Sequence, residues 1–218
     1  MERQMPLGGI RQNRGGDASS LIPHRPTIGK LQEAARMCRA CPLWKSGTQT
    51  VFGEGSRTAK VVFIGEQPGN DEDLAGKPFV GPAGKLLDKA LVEAKIDRDE
   101  VYVTNVVKHF KWEPKGKRRI HKKPNAREIL ACRPWLDAEL AVLQPEVVVC
   151  LGATAAQALL GRDFRVSQRR GEFVESSLAQ HVIATVHPSS ILRAPDDETR
   201  HSEMKRFIED LKKVATVI

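Results

Sequence analysis

The sequence predicts an α/β fold, a three-layer αβα sandwich around a central, four-stranded and mostly parallel sheet. Four short runs are almost entirely apolar, as expected for strands of a parallel sheet that is covered on both faces. Segments with the apolar spacing of helices alternate with these runs, as in chains that cross over a sheet between parallel strands. The predicted strands are residues 60–65, 101–107, 146–152 and 181–186.

The segments between the predicted strands show helical spacing and helix-start signals. Pro82 opens a segment in which apolar residues recur at i, i+3, i+4, i+7 and i+8, which is one face of a helix. Asn125 followed by Glu128 resembles a capping box, and Pro134 is expected to kink or split the helix that follows. Further helices are predicted over residues 30–37, 154–160 and 199–215.

Length and composition predict one folded domain over residues 27–218, because 40% of the 218 residues are apolar. Residues 1–26 are rich in Gly, Arg, Gln and Ser without an apolar period, which predicts a flexible N-terminal arm. The longest apolar stretch, 147–156, is about half of a membrane span, and no charged-then-apolar leader is visible. We therefore expect a cytoplasmic protein without membrane contact.

The net charge of +8 is concentrated in one segment. Residues 108–123 contain eight Lys or Arg and a single acid, Glu113, so they account for +7 of that charge. Charge of this density is used to bind nucleic-acid phosphates, because neutralising the phosphates releases condensed counterions. A basic loop that only aids solubility is the alternative.

Four cysteines are present, and a cytosolic setting disfavours disulfides between them. The C-x-x-C pattern of Cys38 and Cys41 indicates half of a metal or cluster site, or a redox pair. Cys150 lies inside an apolar run, which favours a buried free thiol, although a ligand role is the alternative. Zinc remains possible from the residue types alone.

Polar residues follow three of the predicted strands at the point where each strand ends. They are Glu66–Gly69, Asn105 and His187–Ser190. Since ligands of open α/β sheets bind beyond the carboxyl ends of the strands, we expect these residues to converge on one active site.

The residues at these strand ends resemble the iron–sulfur uracil-DNA glycosylases of family 4. Residues 65–69 and 76–84 are similar to the first motif of that family, and residues 187–190 to its second. Two departures, Gln67 in place of Ala and the insertion 117–121, are similar to the X-type branch (UdgX). The resemblance covers most of the chain.

This resemblance implies a glycosylase that flips uracil out of DNA, with single strands favoured, and excises it. It also implies that His121 then binds covalently to C1′ of the abasic sugar, so that each molecule reacts once. A glycosylase that turns over and a non-catalytic DNA-binding module are the alternatives. We expect a monomer without an obligate protein partner, bound to uracil-containing DNA in the bacterial nucleoid.

The resemblance also implies roles for the strand-end residues. Asn105 would recognise the uracil edge, Phe79 would stack on the flipped base, and His187 would donate to uracil O2 as negative charge develops. Glu66 would orient a water molecule or stabilise the sugar cation. Gln67 is expected to support the pocket, without a chemical role of its own.

His121 is expected to act as a neutral imidazole nucleophile. Neighbouring cations should lower its pKa, and the basic residues here should bind DNA phosphates. The cations expected to lower the pKa are Arg118, Arg119, Lys122 and Lys123, and the expected DNA-binding residues are Lys117, Arg118, Arg119 and Lys122. The alternative is a histidine that binds phosphates without forming a bond.

Two further expectations concern the second motif and the cysteines. Arg193 would contact DNA or position the His121 loop, and Ile191 or Leu192 would wedge into the gap left by the base. The resemblance implies a structural [4Fe–4S] cluster, with His109 at the position of the fourth family cysteine. Its expected ligands are Cys38, Cys41, His109 and Cys132.

Overall fold

The structure is a computed structural model that describes residues 16–218, and its centre is the predicted α/β sandwich. Its strands are β1 (Glu54–Gly55), β2 (Val61–Gly65), β3 (Val101–Asn105), β4 (Trp112–Lys115), β5 (Arg118–His121), β6 (Val147–Leu151), β7 (Phe173–Val174) and β8 (His181–Thr185). Its α-helices are α1 (Ile28–Ala35), α2 (Asn70–Ala75), α3 (Pro82–Glu93), α4 (Ala126–Leu143), α5 (Ala153–Leu160), α6 (Val166–Arg169), α7 (Pro188–Leu192) and α8 (Asp197–Ala215). Short 3-10 helices cover Ala18–Leu21, Pro42–Lys45 and Arg98–Glu100.

The predicted four-stranded parallel sheet is confirmed. Strands β3, β2, β6 and β8 lie side by side in that order and pair in parallel. Two antiparallel strands of two residues each, β1 and β7, extend the sheet at its edges. These edge strands were not predicted, because two residues are too few to show an alternating pattern.

Alternate residues of the strands face two separate apolar cores, which gives the three layers. In β2, Val62 and Ile64 pack in a core with residues of α1 and α4, whereas Val61 and Phe63 pack in a second core with residues of α3 and α8. The strands are fully buried because both of their faces are covered.

The predicted helices form with small shifts in their bounds. The capping box is present, since Glu128 N–H donates to Asn125 Oδ1 at 2.9 Å and Asn125 N–H donates to Glu128 Oε2 at 2.7 Å. Pro134 lies inside α4 and does not split it. Helix α2 was not predicted, because its six residues include only two apolar ones, which are too few to show a helical period.

The predicted N-terminal arm lies largely outside the described residues, since residues 1–15 are not described. Within the described part, Ala18 is fully buried in a 3-10 helix that contacts α4. No helix among residues 16–218 is both long and apolar enough to cross a membrane.

A buried ion pair links β3 to α4 beneath the rim of the sheet. Lys108 Nζ lies 2.5 Å from Glu139 Oε2, and both side chains are at most 1% exposed. The hydroxyls of Tyr102 and Thr104 also donate to Glu139, so the carboxylate is well satisfied. Lys108 Nζ donates to the Asn105 carbonyl at 2.8 Å, which ties the pair to the end of β3.

We expect Lys108→Met to destabilise the fold by about 3–5 kcal/mol, because it leaves the Glu139 carboxylate buried without its counter-charge. The double variant Lys108→Met/Glu139→Gln should recover most of that loss, since the amide still accepts from Tyr102 and Thr104. Urea denaturation of the three proteins at neutral pH measures both effects. A single variant as stable as the wild type would contradict this account of the pair.

Candidate active site at the carboxyl ends of the strands

A cavity of about 810 Å³ opens where the parallel strands end, within the volume range of small-ligand sites. Its walls come from the segments that follow β2, β3, β6 and β8, together with the end of the β4–β5 hairpin. This edge is where open α/β sheets bind ligands. The predicted site residues that line the cavity are Glu66, Gln67, Phe79, Asn105, His121, His187 and Arg193.

The Glu66 carboxylate is held between two elements. Its Oε1 lies 3.3 Å from His121 Nε2, and its Oε2 accepts a short hydrogen bond from the Thr154 hydroxyl. Thr154 stands in the first turn of α5 and lines the same cavity. The sequence analysis missed Thr154, although it follows the strand at 146–152 and so lies at the predicted rim.

The insertion that contains His121 forms the second strand, β5, of a two-stranded hairpin with β4, in which His121 pairs with Trp112. Gln67 clamps the base of this hairpin. Its Nε2 donates to the carbonyls of Lys111 and Lys122, at 3.1 Å each, and its Oε1 accepts from Lys111 N–H at 3.2 Å. The predicted supporting role of Gln67 therefore has a concrete geometry, a three-bond clamp on the hairpin.

Arg119 fastens the same hairpin to α2. Its Nη1 lies 2.6 Å from Asp73 Oδ2, and its Nε donates to Asn70 Oδ1 at 2.8 Å. Lys122 pairs with Glu113 at 2.8 Å, whereas Lys117 and Arg118 are exposed at the hairpin turn. Of the four predicted DNA-binding residues, Arg119 therefore has its guanidinium group bound to other residues of the protein.

Both histidines of the cavity are kept neutral near pH 7, and the cause for His121 differs from the expected one. Burial is the main cause that lowers the pKa of His121 from 6.5; the Glu66 carboxylate opposes this, and the Arg193 guanidinium adds to it. The direction matches the sequence analysis, but the expectation that the hairpin cations cause it was wrong. Two of those cations, Arg119 and Lys122, are neutralised by acids of their own.

The protonated nitrogen of His187 follows from its hydrogen bonds. Ser189 N–H donates to His187 Nδ1 at 3.2 Å, so a neutral ring bears its proton on Nε2. Burial is the first cause that lowers the pKa of His187 to about 4, followed by the nearby Arg193 and His121. If Gly65 carried a Cβ atom, that atom would lie 3.4 Å from His187 Nε2 and would overlap Asn105 Oδ1. The two polar groups therefore border the same small space beside Gly65.

Phe79 is held in an unusual backbone conformation, with φ of 56°. If Gly84 carried a Cβ atom, that atom would overlap the Phe79 carbonyl oxygen. Only glycine therefore allows the start of α3 to lie this close to Phe79. Glu72 Oε1 accepts from Gly81 N–H at 3.0 Å and holds the intervening turn. The Phe79 ring lies roughly parallel to His187, with centroids 6.1 Å apart. Strain maintained in this way is typical of functional sites.

The predicted wedge is corrected in part. Ile191 is 1% exposed and packs in the core against α3 and α8, so it cannot enter DNA. Leu192 is 39% exposed, so its insertion into the gap left by the base stays a prediction. Arg193 ends α7 and lines the cavity.

Three of the four predicted cluster ligands are buried close enough to one another to interact electrostatically. Cys38, Cys41 and Cys132 are buried, and each interacts electrostatically with the other two. Burial raises the pKa of Cys41 and, more strongly, that of Cys132, to about 12. Within residues 16–218, no three His, Cys, Asp or Glu side chains are grouped closely enough to hold a single metal ion.

The fourth predicted ligand is near the same place but is engaged otherwise. His109 Nε2 lies 3.1 Å from Thr50 Oγ1. The preceding residue, Lys108, donates its backbone N–H to Cys132 Sγ at 3.2 Å, which places the start of the basic segment beside that thiol. Cys150 is fully buried in β6, as expected for a free thiol.

Comparisons with known proteins agree with this geometry. Residues 52–212 match the family model of the uracil DNA glycosylase superfamily. The chain is 38% identical over 190 residues to a type-4 uracil-DNA glycosylase of Thermotoga maritima, covering 86% of this chain and 93% of the relative. It is 39% identical over 178 residues to the type-4 enzyme of Archaeoglobus fulgidus, covering 78% and 86%. A type-5 uracil-DNA glycosylase of Pyrobaculum aerophilum is 29% identical over 189 residues, covering 78% and 76%. The chain therefore belongs to the uracil DNA glycosylase superfamily.

Proposed function

We propose that the protein excises uracil from DNA and that His121 then captures the abasic sugar covalently. The type-4 relatives support the first step, because they are named uracil-DNA glycosylases and cover most of the chain. One observation supports the second step above all. His121 Nε2 is brought by the hairpin into the cavity, 3.3 Å from Glu66 Oε1, beside the residues that would bind the base.

Base recognition would use the polar groups at the ends of β3 and β8. The Asn105 amide offers a donor and an acceptor to the uracil edge, and its strand end is held by Lys108. Phe79 would stack on the flipped ring. His187 would donate its Nε2–H to uracil O2, and its pKa of about 4 ensures that the donor is a neutral imidazole. Single-stranded DNA is favoured, because no base pair has to be broken first.

In the proposed step a neutral His121 carries its proton on Nδ1, so the Nε2 lone pair is free and no proton has to leave the nucleophile. When the N1–C1′ bond breaks, its electron pair leaves with uracil and the sugar becomes an oxocarbenium-like cation. The lone pair of His121 Nε2 then forms the bond to C1′, and the positive charge moves onto the imidazole ring. The Glu66 carboxylate is the counter-charge to both cations, and the His187 donor stabilises the uracil anion.

DNA binding would depend on the exposed cations of the hairpin turn, Lys117 and Arg118, and on Arg193 at the cavity mouth. Lys122 lies beside them, in a solvent-exposed pair with Glu113 that a phosphate can replace. Arg119 contributes to the same surface indirectly, because it fixes the hairpin to α2.

We also propose that a [4Fe–4S] cluster is held by Cys38, Cys41, Cys132 and His109. The donor set fits, because three thiols are buried close together and burial opposes their ionisation, so a bound metal centre would stabilise the thiolate forms. Each ligand of such a cluster binds a different iron, so the ligands stand farther apart than those of one ion. Thr50 would orient the His109 ring by its hydrogen bond to Nε2, which leaves His109 Nδ1 as the nitrogen that would bind the cluster. The cluster would have a structural role at the start of the basic segment.

Covalent capture is tested with a uracil-containing oligonucleotide and denaturing electrophoresis. The wild-type protein should shift nearly all of the limiting strand to a band that survives boiling in detergent, whereas His121→Ser should leave only background, since a serine hydroxyl is a poor nucleophile near pH 7. Lys117→Gln is the control, because it removes a hairpin charge without removing the nucleophile. An oligonucleotide with thymine in place of uracil should give no band.

The alternatives give different results in the same assay. Free uracil together with free abasic DNA from the wild-type protein would indicate a glycosylase that turns over and would contradict capture by His121. Equal binding of thymine and uracil strands, without base release, would indicate a DNA-binding module and would contradict the whole proposal.

The pH dependence of capture follows from the protonation of His121. The rate of adduct formation should fall as the pH is lowered, with a midpoint below the ordinary histidine value of 6.5, because burial lowers the pKa of the nucleophile. Arg193→Gln should move this fall to higher pH, since Arg193 lowers the pKa, whereas Lys117→Gln should leave it in place. Single-turnover rates of adduct formation between pH 4 and 9 are the measurement. A fall centred above pH 6.5 in the wild type would contradict this assignment.

The cluster is tested by its iron content. Anaerobically purified protein should be brown and should contain about four irons per chain. Cys132→Ser should lose most of this iron, whereas Cys150→Ser should retain it, because Cys150 lies within the sheet. Zinc in place of iron, or equal loss in both variants, would contradict the proposed ligand set.

A further inference from the structure

We propose that Thr154 is the positioning residue that holds the Glu66 carboxylate with one oxygen facing His121 and the reacting sugar. This inference rests on the proposed function, but its central claim is a geometric one. Glu66 and Thr154 are 88 residues apart in the chain, and their side chains meet in a short hydrogen bond inside the cavity.

The two oxygens of Glu66 have separate partners. Oε2 accepts the Thr154 hydroxyl, and Oε1 is left for His121 Nε2. The terminal torsion of a glutamate is broad, so a carboxylate without a fixed partner samples many orientations. A hydrogen bond to one oxygen removes that freedom and determines where the other oxygen points.

The backbone around Thr154 explains why its hydroxyl reaches Glu66. Strand β6 ends beside β2, and Gly152 then turns the chain with φ of 88° into α5. A Cβ on Gly152 would stand 3.0 Å from the Cβ of His187, so the turn is packed against the neighbouring strand end. Thr154 is 6% exposed, and its branched side chain has few rotamers available.

Thr154 would matter at the moment when charge develops. The Glu66 carboxylate stabilises the sugar cation only if it is already aimed at C1′, because reorienting a dipole or charge during the reaction costs free energy. Thr154 does not touch the substrate in this scheme. It acts through Glu66, so its loss should slow the reaction without weakening DNA binding.

The test compares Thr154→Val, which keeps the shape and removes the hydroxyl, with Thr154→Ser, which keeps the hydroxyl. In single-turnover assays with a uracil oligonucleotide, Thr154→Val should release uracil about 10-fold or more slowly, as expected for a lost hydrogen bond to a charged group. Thr154→Ser should stay within about 3-fold of the wild type, and the Kd for DNA should not change in either. In a Glu66→Ala background, Thr154→Val should cause no further loss.

A second measurement does not depend on activity. In an NMR titration of labelled histidine, Thr154→Val should lower the pKa of His121, because Glu66 raises it and would no longer be held in place. Thr154→Ser should leave that pKa unchanged. The His121→Ser variant assigns the resonance.

The outcomes separate this inference from the proposed function. Equal rates and equal His121 titrations in Thr154→Val and wild type overturn the role of Thr154, while uracil release by the wild type keeps the proposed function. Equal losses in the Val and Ser variants also overturn it, because the hydroxyl would not be the cause. A wild-type protein that releases no uracil overturns the proposed function, and the titration alone then decides whether Thr154 positions Glu66.

Discussion

The parallel pairing of β3, β2, β6 and β8 is the constraint on which the site depends. Because the four strands run in one direction, all of their carboxyl ends meet at one rim, and the register aligns Gly65 with Asn105 across the first pair. Residues that are far apart in the chain are thereby placed on one cavity, with Glu66 after β2, Thr154 after β6 and His187 after β8. The hydrogen bonds of the site select orientations within that arrangement but do not create it.

The sheet does not position the hairpin. Its strands lie outside the six-stranded sheet, so its place depends on contacts to the body. Gln67 clamps its two ends, Arg119 joins it to Asp73, and Trp112 Nε1 donates to the Ser46 carbonyl at 2.8 Å. Gln67 and the hairpin that it clamps are therefore one structural unit. A hairpin placed in this way presents His121 at a fixed distance from Glu66, although its outer surface is open to solvent.

The sequence predicts the features that are local or that follow from topology. The four parallel strands and the Asn125 cap are local patterns, and the convergence of strand ends follows from the parallel order. The hairpin, α2 and the contact of Thr154 with Glu66 are of another kind. Strands β4 and β5 are mostly exposed and show no alternation of buried and exposed residues, and side-chain contacts between distant segments leave no periodic trace in a single sequence. The cause of the lowered pKa of His121 could not be predicted for the same reason, since burial and the charges of Glu66 and Arg193 come from distant segments, and Arg119 is paired with Asp73 of α2.

Glu66 also explains why capture and hydrolysis exclude each other in the proposed mechanism. A water molecule that attacks C1′ has to be held by the carboxylate oxygen that faces the sugar. That oxygen, Oε1, already has His121 Nε2 at 3.3 Å, and Oε2 is occupied by Thr154. Because the imidazole ring fills the space beside Oε1, a water molecule could be oriented there only if the ring moved away. Since the hairpin is held to the body by a clamp and an ion pair, the imidazole stays in place, and the sugar cation meets a nitrogen lone pair first. In the proposed mechanism the hairpin would therefore decide whether the enzyme turns over or is trapped, while the rest of the rim would perform the same excision in either case.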